Sequence, residues 1–143
     1  MSKHYRLGYI RRIVNRLISW AISRGKMDDN MVLLTTVGRK SGQERTTPVT
    51  LVVRDGHRYI VSPYGTVGWV YNVRESGSAR LERGGKIDEI TVTEADADSA
   101  APVLKQYVKA ISVVRPYFDA DKDDPVEAFA VEASQHPVFR IDE

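Results

Sequence analysis

The stretch Thr47-Pro48-Val49-Thr50-Leu51-Val52-Val53-Arg54-Asp55-Gly56-His57-Arg58-Tyr59-Ile60-Val61-Ser62 decides the fold. Val49, Leu51 and Val53 share one face of a period-two run, and a returning strand from Arg58 to Ser62 follows Asp55-Gly56. Asp-Gly marks a two-residue hairpin, because both positions tolerate the positive φ of a type I′ turn. The same grammar repeats on both sides. Met31 to Val37 is a compact apolar and threonine run that suits a strand, and Ser78–Arg83 and Lys86–Thr93 flank a second hairpin signal at Gly84-Gly85. Val138 to Ile141 reads as a last strand.

Helical spacing fills the gaps. Thr66 is placed to cap a short helix through Trp69, Val73 and Arg74, with Gly77 just past its end. Asp96 or Asp98 is placed to cap a longer one, with Ala97, Ala101, Leu104, Val108 and Ile111 as its buried stripe and Pro116 as its stop. Asp119 to Pro125 reads as an exposed acidic loop and Val126 to Ala133 as one or two helical turns. Residues 1–27 form an N-terminal amphipathic helix in this reading: Tyr9, Ile13 and Leu17 lie beside Ile10, Val14 and Ile18 in one stripe, with Arg11, Arg12 and Arg16 mostly off it. Residues 28–143 carry the rest of a single domain. Hairpins dominate and no repeated βαβ crossover appears, so the expected class is α+β: a small antiparallel barrel with peripheral helices.

Composition narrows the chemistry. The chain has 143 residues, no cysteine and three histidines far apart in sequence. That excludes disulfide scaffolds, cysteine nucleophiles and thiolate metal sites, and leaves no multi-histidine metal centre. No apolar run approaches the roughly 18 residues of a membrane span, and no signal peptide opens the chain. A cysteine-free chain fits a reducing cytoplasm. The net charge of +2 is unevenly spread: Met1 to Lys26 holds seven Lys or Arg and no acid, whereas Glu94 to Glu127 holds eight acids against four bases. The basic first helix suits packing of its apolar stripe on the domain, the commoner use of such a helix, or contact with an anionic membrane surface. The acidic later part argues against nucleic acid as a partner.

Motifs for hydrolysis or nucleotide binding are missing. Gly38-Arg39-Lys40-Ser41-Gly42 is not a Walker A loop, since Leu33 stands where its first glycine is required. The run nevertheless has its own chemistry. Two glycines permit close backbone approach, Arg39 and Arg45 offer planar forks, Lys40 a point charge and Ser41 a hydroxyl, with Glu44 as the one acid nearby. Such a loop suits a phosphate or a carboxylate-rich tail, and the same composition also suits a basic hairpin loop in water. A second cluster, Ser62-Pro63-Tyr64-Gly65 followed by Trp69, Tyr71 and Asn72, offers aromatic walls at a strand-to-helix turn, or simply core packing. A third, Val113 to Phe118, joins aromatics to a helix end. His57 follows a hairpin turn and His136 precedes Pro137, positions that read as structural or exposed rather than catalytic.

Leu33 to Gly42, then Arg45 and Pro48, resembles the signature of the deazaflavin-dependent nitroreductase family. Val61 to Gly65, Trp69, Asn72 and the closing His136-Pro137-Val138-Phe139-Arg140 are similar to that family too, so the resemblance runs from about Met31 to Ile141. It implies a split β-barrel and coenzyme F420 as cofactor. It also implies hydride transfer from the reduced deazaflavin to an electron-poor acceptor: a quinone, an enone or a nitroaromatic. By the same resemblance Arg39, Lys40, Ser41 and Arg45 hold the phosphate and oligoglutamate tail. Pro48 and Thr50 flank the ring or ribityl chain, and Ser62, Tyr64, Trp69 and Asn72 bound the other side. The resemblance also implies that Tyr117 and Phe118 stand where the family shapes its substrate pocket, and Tyr64 stands where well-studied members have a lysine and a longer loop. No catalytic side chain is singled out and no metal is expected, since the cofactor carries the redox chemistry. Two alternatives keep the same fold: a split barrel that binds FMN, and an F420-binding protein without turnover. A homodimer and peripheral membrane contact through the first helix are compatible with each.

Overall fold

The computed structural model describes residues 30–143, so the expected helix at residues 1–27 lies outside them. Six strands form the frame: β1 (Met31–Val37), β2 (Glu44–Arg54), β3 (His57–Val61), β4 (Ser78–Arg83), β5 (Lys86–Glu94) and β6 (Val138–Asp142). They close into a barrel in the order β1-β2-β3-β6-β5-β4, with every neighbouring pair antiparallel. Asp55 and Gly56 both take positive φ, 52° and 79°, as the Asp-Gly signal requires.

Among the described residues three α-helices surround the barrel: α1 (Gly68–Ser76), α2 (Ala97–Ala110) and α3 (Val126–Val131). Strand alternation divides the apolar residues into two cores. Leu34, Val49, Leu51, Ile60, Leu81 and Phe139 point into the barrel. Trp69, Val70 and Val73 of α1 join that cluster and close the end of the barrel where β1 runs into β2. Val52, Val61 and Val138 point outward into a second core beneath α2 and α3, centred on Leu104, Val108 and the fully buried Phe129. Burying each such side chain contributes roughly 1.5–3 kcal/mol, which holds the helices to the barrel wall.

Four local expectations need correction. Thr66 does not cap α1: Val67 occupies that position and makes no side-chain cap bond. The stripe of α2 is wider than expected, taking in Ala100, Val103 and Tyr107 while Ala97 is exposed, because α2 is wedged between the barrel and α3. Pro116 does not end α2. The helix stops at Ala110, and the chain continues through a 3-10 helix, Ser112–Tyr117, that contains Pro116. Arg115 reaches back to the carbonyls of Val108 (3.0 Å) and Lys109 (3.1 Å), which satisfies acceptors that a helix end leaves open. Finally, β2 starts at Glu44, so Arg45 belongs to a strand, paired with Thr36, and not to the loop. Asp96 does cap α2, accepting the Ser99 N–H at 2.8 Å.

Candidate anion cleft and aromatic cluster

The β1–β2 connection is tightly wound. Gly38 N–H donates to the Gln43 carbonyl (2.7 Å) and Gly42 N–H to the Gly38 carbonyl (2.9 Å). A Cβ on Gly38 would lie 2.7 Å from Ser41 Oγ and 3.3 Å from the Gln43 oxygen, so a side chain here would push the Ser41 hydroxyl aside and crowd the Gln43 carbonyl. Ser41 Oγ in turn accepts the Gln43 N–H at 3.2 Å.

One residue of α1 ties this loop to the barrel. Asn72, almost fully buried, accepts from Arg39 N–H (3.2 Å) and Arg39 Nη1 (3.5 Å) and donates from Nδ2 to Thr36 Oγ1 (3.0 Å). The Arg39 guanidinium lies 4.7 Å above the Tyr71 ring, a cation–π contact that fixes it at the rim. Between loop and helix opens a cleft of about 230 Å³. Arg39, Lys40, Ser41 and Arg45 line one side, and Gly68, Trp69 and Asn72 the other. Residues from two separate sequence clusters thus meet around one space. Within it Trp69 is mostly a barrel plug, its ring centred 5.7 Å from that of Phe139.

Lys40 and Arg45 make no ion pair among the described residues. Glu44, next to Arg45, is turned to Arg80, which grips both its oxygens at 3.0 and 3.2 Å. Elsewhere arginines are matched: Arg74 holds Glu94 at 2.7 and 2.8 Å, and Arg58 holds Glu143 and Asp88, contacts that raise both guanidinium pKa values further. A larger cleft of about 310 Å³ lies at the other end of the barrel, but Arg58 and Asp88 on its rim already pair with each other. Unpaired cations around a glycine loop are chemically suited to a polyanion.

The remaining candidates lie elsewhere. Pro48 and Thr50 stand further along β2, opposite Leu33 and Met31, and line no part of this cleft. Thr50 borders a small cavity of about 90 Å³ with Gln106 and Tyr107. Burial pushes the Tyr107 hydroxyl well above the usual phenol range, with the nearby Tyr64 adding to the shift. Ser62 is buried and donates to the Gly65 carbonyl (2.5 Å), so its hydroxyl shapes the turn that carries Tyr64. The Tyr64 ring meets Tyr117 edge-on, centroids 4.8 Å apart at 82°. Phe118 is buried and stacks on His136 at 3.8 Å.

Sequence reasoning missed Glu132. It is buried, with Oε1 2.8 Å from His136 Nε2, and it accepts the Asp119 and Ala120 N–H groups at 3.1 and 2.7 Å. The i, i+4 spacing of Glu132 and His136 at a short helix end is the signal that points to such a pair. No group of three metal-ligating side chains converges among the described residues.

A sequence profile described as F420H(2)-dependent quinone reductase matches residues 12–123. No match was found among curated proteins. A solved structure described as a domain-swapped dimer is similar at 22% identity and TM-score 0.56, over 94% of this chain and 97% of that one. An F420-H2 dependent reductase is similar at 23% identity and TM-score 0.55, over 81% of this chain and 96% of that one. A NimC/NimA family protein from Clostridium acetobutylicum gives 16% identity and TM-score 0.54, over 78% and 73%. These likenesses establish the split-barrel fold.

Proposed function

Because the chain belongs to the F420H(2)-dependent quinone reductase family, and so is an F420-dependent oxidoreductase, we propose that its Gly38–Arg45 cleft holds the anionic tail of the coenzyme. The observation that carries this is the pair of cations Lys40 and Arg45, which make no ion pair among the described residues, at a glycine loop whose neighbouring acid, Glu44, is occupied by Arg80. Lys40 and Arg45 attract the phosphate and tail carboxylates, Ser41 shapes the loop, and Arg39 is held at the rim by Asn72 and Tyr71. Pro48, Tyr64 and the edge of Trp69 that lines the cleft flank the ring side in this reading, with the buried Thr50 and Ser62 shaping the strand and turn behind them.

When bound in its reduced form, F420 supplies a hydride. The chain orients the partners and keeps the acceptor against a flat surface. Of Tyr64 and Tyr117, which meet edge to face, one ring offers its face as that surface while the other braces it, with Phe118 behind them. The acceptor is a small electron-poor molecule, with a quinone the leading candidate. A cytoplasmic location fits the cysteine-free composition. No helix among the described residues is long and apolar enough to cross a membrane. Contact of the basic residues 1–26 with an anionic membrane surface is supported by their seven unopposed cations. A homodimer is supported by the fold-level likeness to a structure described as a dimer.

The test is anaerobic mixing of the protein with reduced F420 and menadione, following the return of F420 absorbance. Catalytic return with a quinone-dependent rate is expected. Saturable F420 binding without reoxidation by quinone, enone or nitroaromatic acceptors would overturn the catalytic reading.

A further inference from the structure

Glu132 and His136 are among the few polar side chains that are fully enclosed, at 4% and 1% exposure. Burying a carboxylate and an imidazole is costly unless each finds partners, and apolar residues of the same volume would fill the space at least as well. Beyond each other, their hydrogen-bond partners are backbone groups. The Pro63 carbonyl can only accept, so His136 Nδ1 donates to it across 2.9 Å, while Nε2 faces Glu132 Oε1 at 2.8 Å. Glu132 uses its oxygens on the backbone N–H groups of Asp119 and Ala120. One buried pair thus holds the backbone of two segments far apart in sequence. One segment carries Tyr64, next to Pro63. The other carries Tyr117 and Phe118, just before Asp119, and Phe118 stacks on the same imidazole. The two tyrosines meet where these segments converge.

We infer that the Glu132–His136 pair is a positioning device for the acceptor pocket, setting Tyr64 and Tyr117 edge to face by gripping both segments from one buried point. The inference rests on the reading of Tyr117 as an acceptor wall. Hydrogen bonds to backbone atoms fix distance and direction, which apolar packing alone does not.

The test uses the full chain with reduced F420 and menadione. His136→Phe keeps a flat ring against Phe118 and removes the bonds to Pro63 and Glu132. Glu132→Gln keeps one acceptor oxygen and is the milder change. In His136→Phe the menadione KM should rise about tenfold, with kcat and the F420 Kd within about threefold. Tyr117→Ala should also raise that KM, and adding His136→Phe to it should change KM by less than about twofold, since the pair acts through that ring. Equal fold-effects of His136→Phe with and without Tyr117 would overturn the inference, as would an unchanged KM. If His136→Phe does not fold, Glu132→Gln carries the same cycle to the same two outcomes. Should Tyr117→Ala alone leave KM unchanged, the acceptor-wall reading fails and the inference with it. Should it raise KM while neither pair variant does, only the inference fails.

Discussion

Replacing Asn72 with Ala tests whether α1 holds the basic loop in place. The amide makes three hydrogen bonds: two accepted from Arg39 and one donated to Thr36, itself buried to 1% exposure. Each is worth about 1 kcal/mol net, and stranding the buried Thr36 hydroxyl adds to the loss, so stability should fall by about 2–4 kcal/mol. Urea unfolding should show this as a lower midpoint at constant slope. Because Arg39 loses its anchor, F420 affinity should fall about tenfold, equivalent to about 1.4 kcal/mol. Asn72→Asp keeps an acceptor toward Arg39, and the Thr36 hydroxyl can turn to donate, so it should retain most of the stability, while its new carboxylate in the cleft wall still weakens binding of the anionic tail. An Asn72→Ala protein with the wild-type midpoint and wild-type F420 Kd would refute the idea that Asn72 ties loop to helix.

Gly38→Ala should weaken F420 binding at modest stability cost, about 1 kcal/mol, because the new Cβ displaces Ser41 Oγ from the Gln43 N–H; titration and urea melting on one sample check both. Phe118→Ala should lower stability by about 3–5 kcal/mol, as expected for a buried aromatic, whereas Tyr117→Ala should melt near wild type and change acceptor KM. The Asp96 carboxylate is held below its usual range by the Ser99 N–H, so its contribution is present above the unfolded-state pKa and lost as pH falls through the lowered folded value. Asp96→Asn should therefore lower the melting temperature slightly at neutral pH, where the ionised cap contributes, and converge on the wild type as the pH falls through the carboxylate range.

Hairpins and alternation are the most legible features here, because they are written locally. Asp55-Gly56 dictates its turn by φ alone, and the apolar positions of β2 and β6 follow from the two-residue period. The closing β1–β4 pair has no local signature, since Leu34 meets Leu81 across nearly fifty positions of sequence. The helix boundaries read wrongly where a tertiary partner does the capping. Arg115 satisfies the end of α2, so no stop residue is needed at Ala110. In the site, the basic loop is legible from residue type, and Trp69 and Asn72 converge on it from a helix that plugs the barrel. The two functions of Asn72, tether and cleft wall, are visible only once Thr36 and Arg39 are seen around it. Glu132 is silent in a charge count because it looks like one more acid in an acidic stretch.

The most direct measurement is an equilibrium titration of F420 into the wild-type protein, Lys40→Ala and Arg45→Ala, at low and high salt. Charge-assisted bonds of roughly 1.5–3 kcal/mol each predict a loss of about tenfold or more in either variant at low salt. That gap should narrow at high salt, where the wild-type contact is itself screened. Equal affinity of all three proteins at both salt concentrations would contradict the assignment of this cleft to the coenzyme tail.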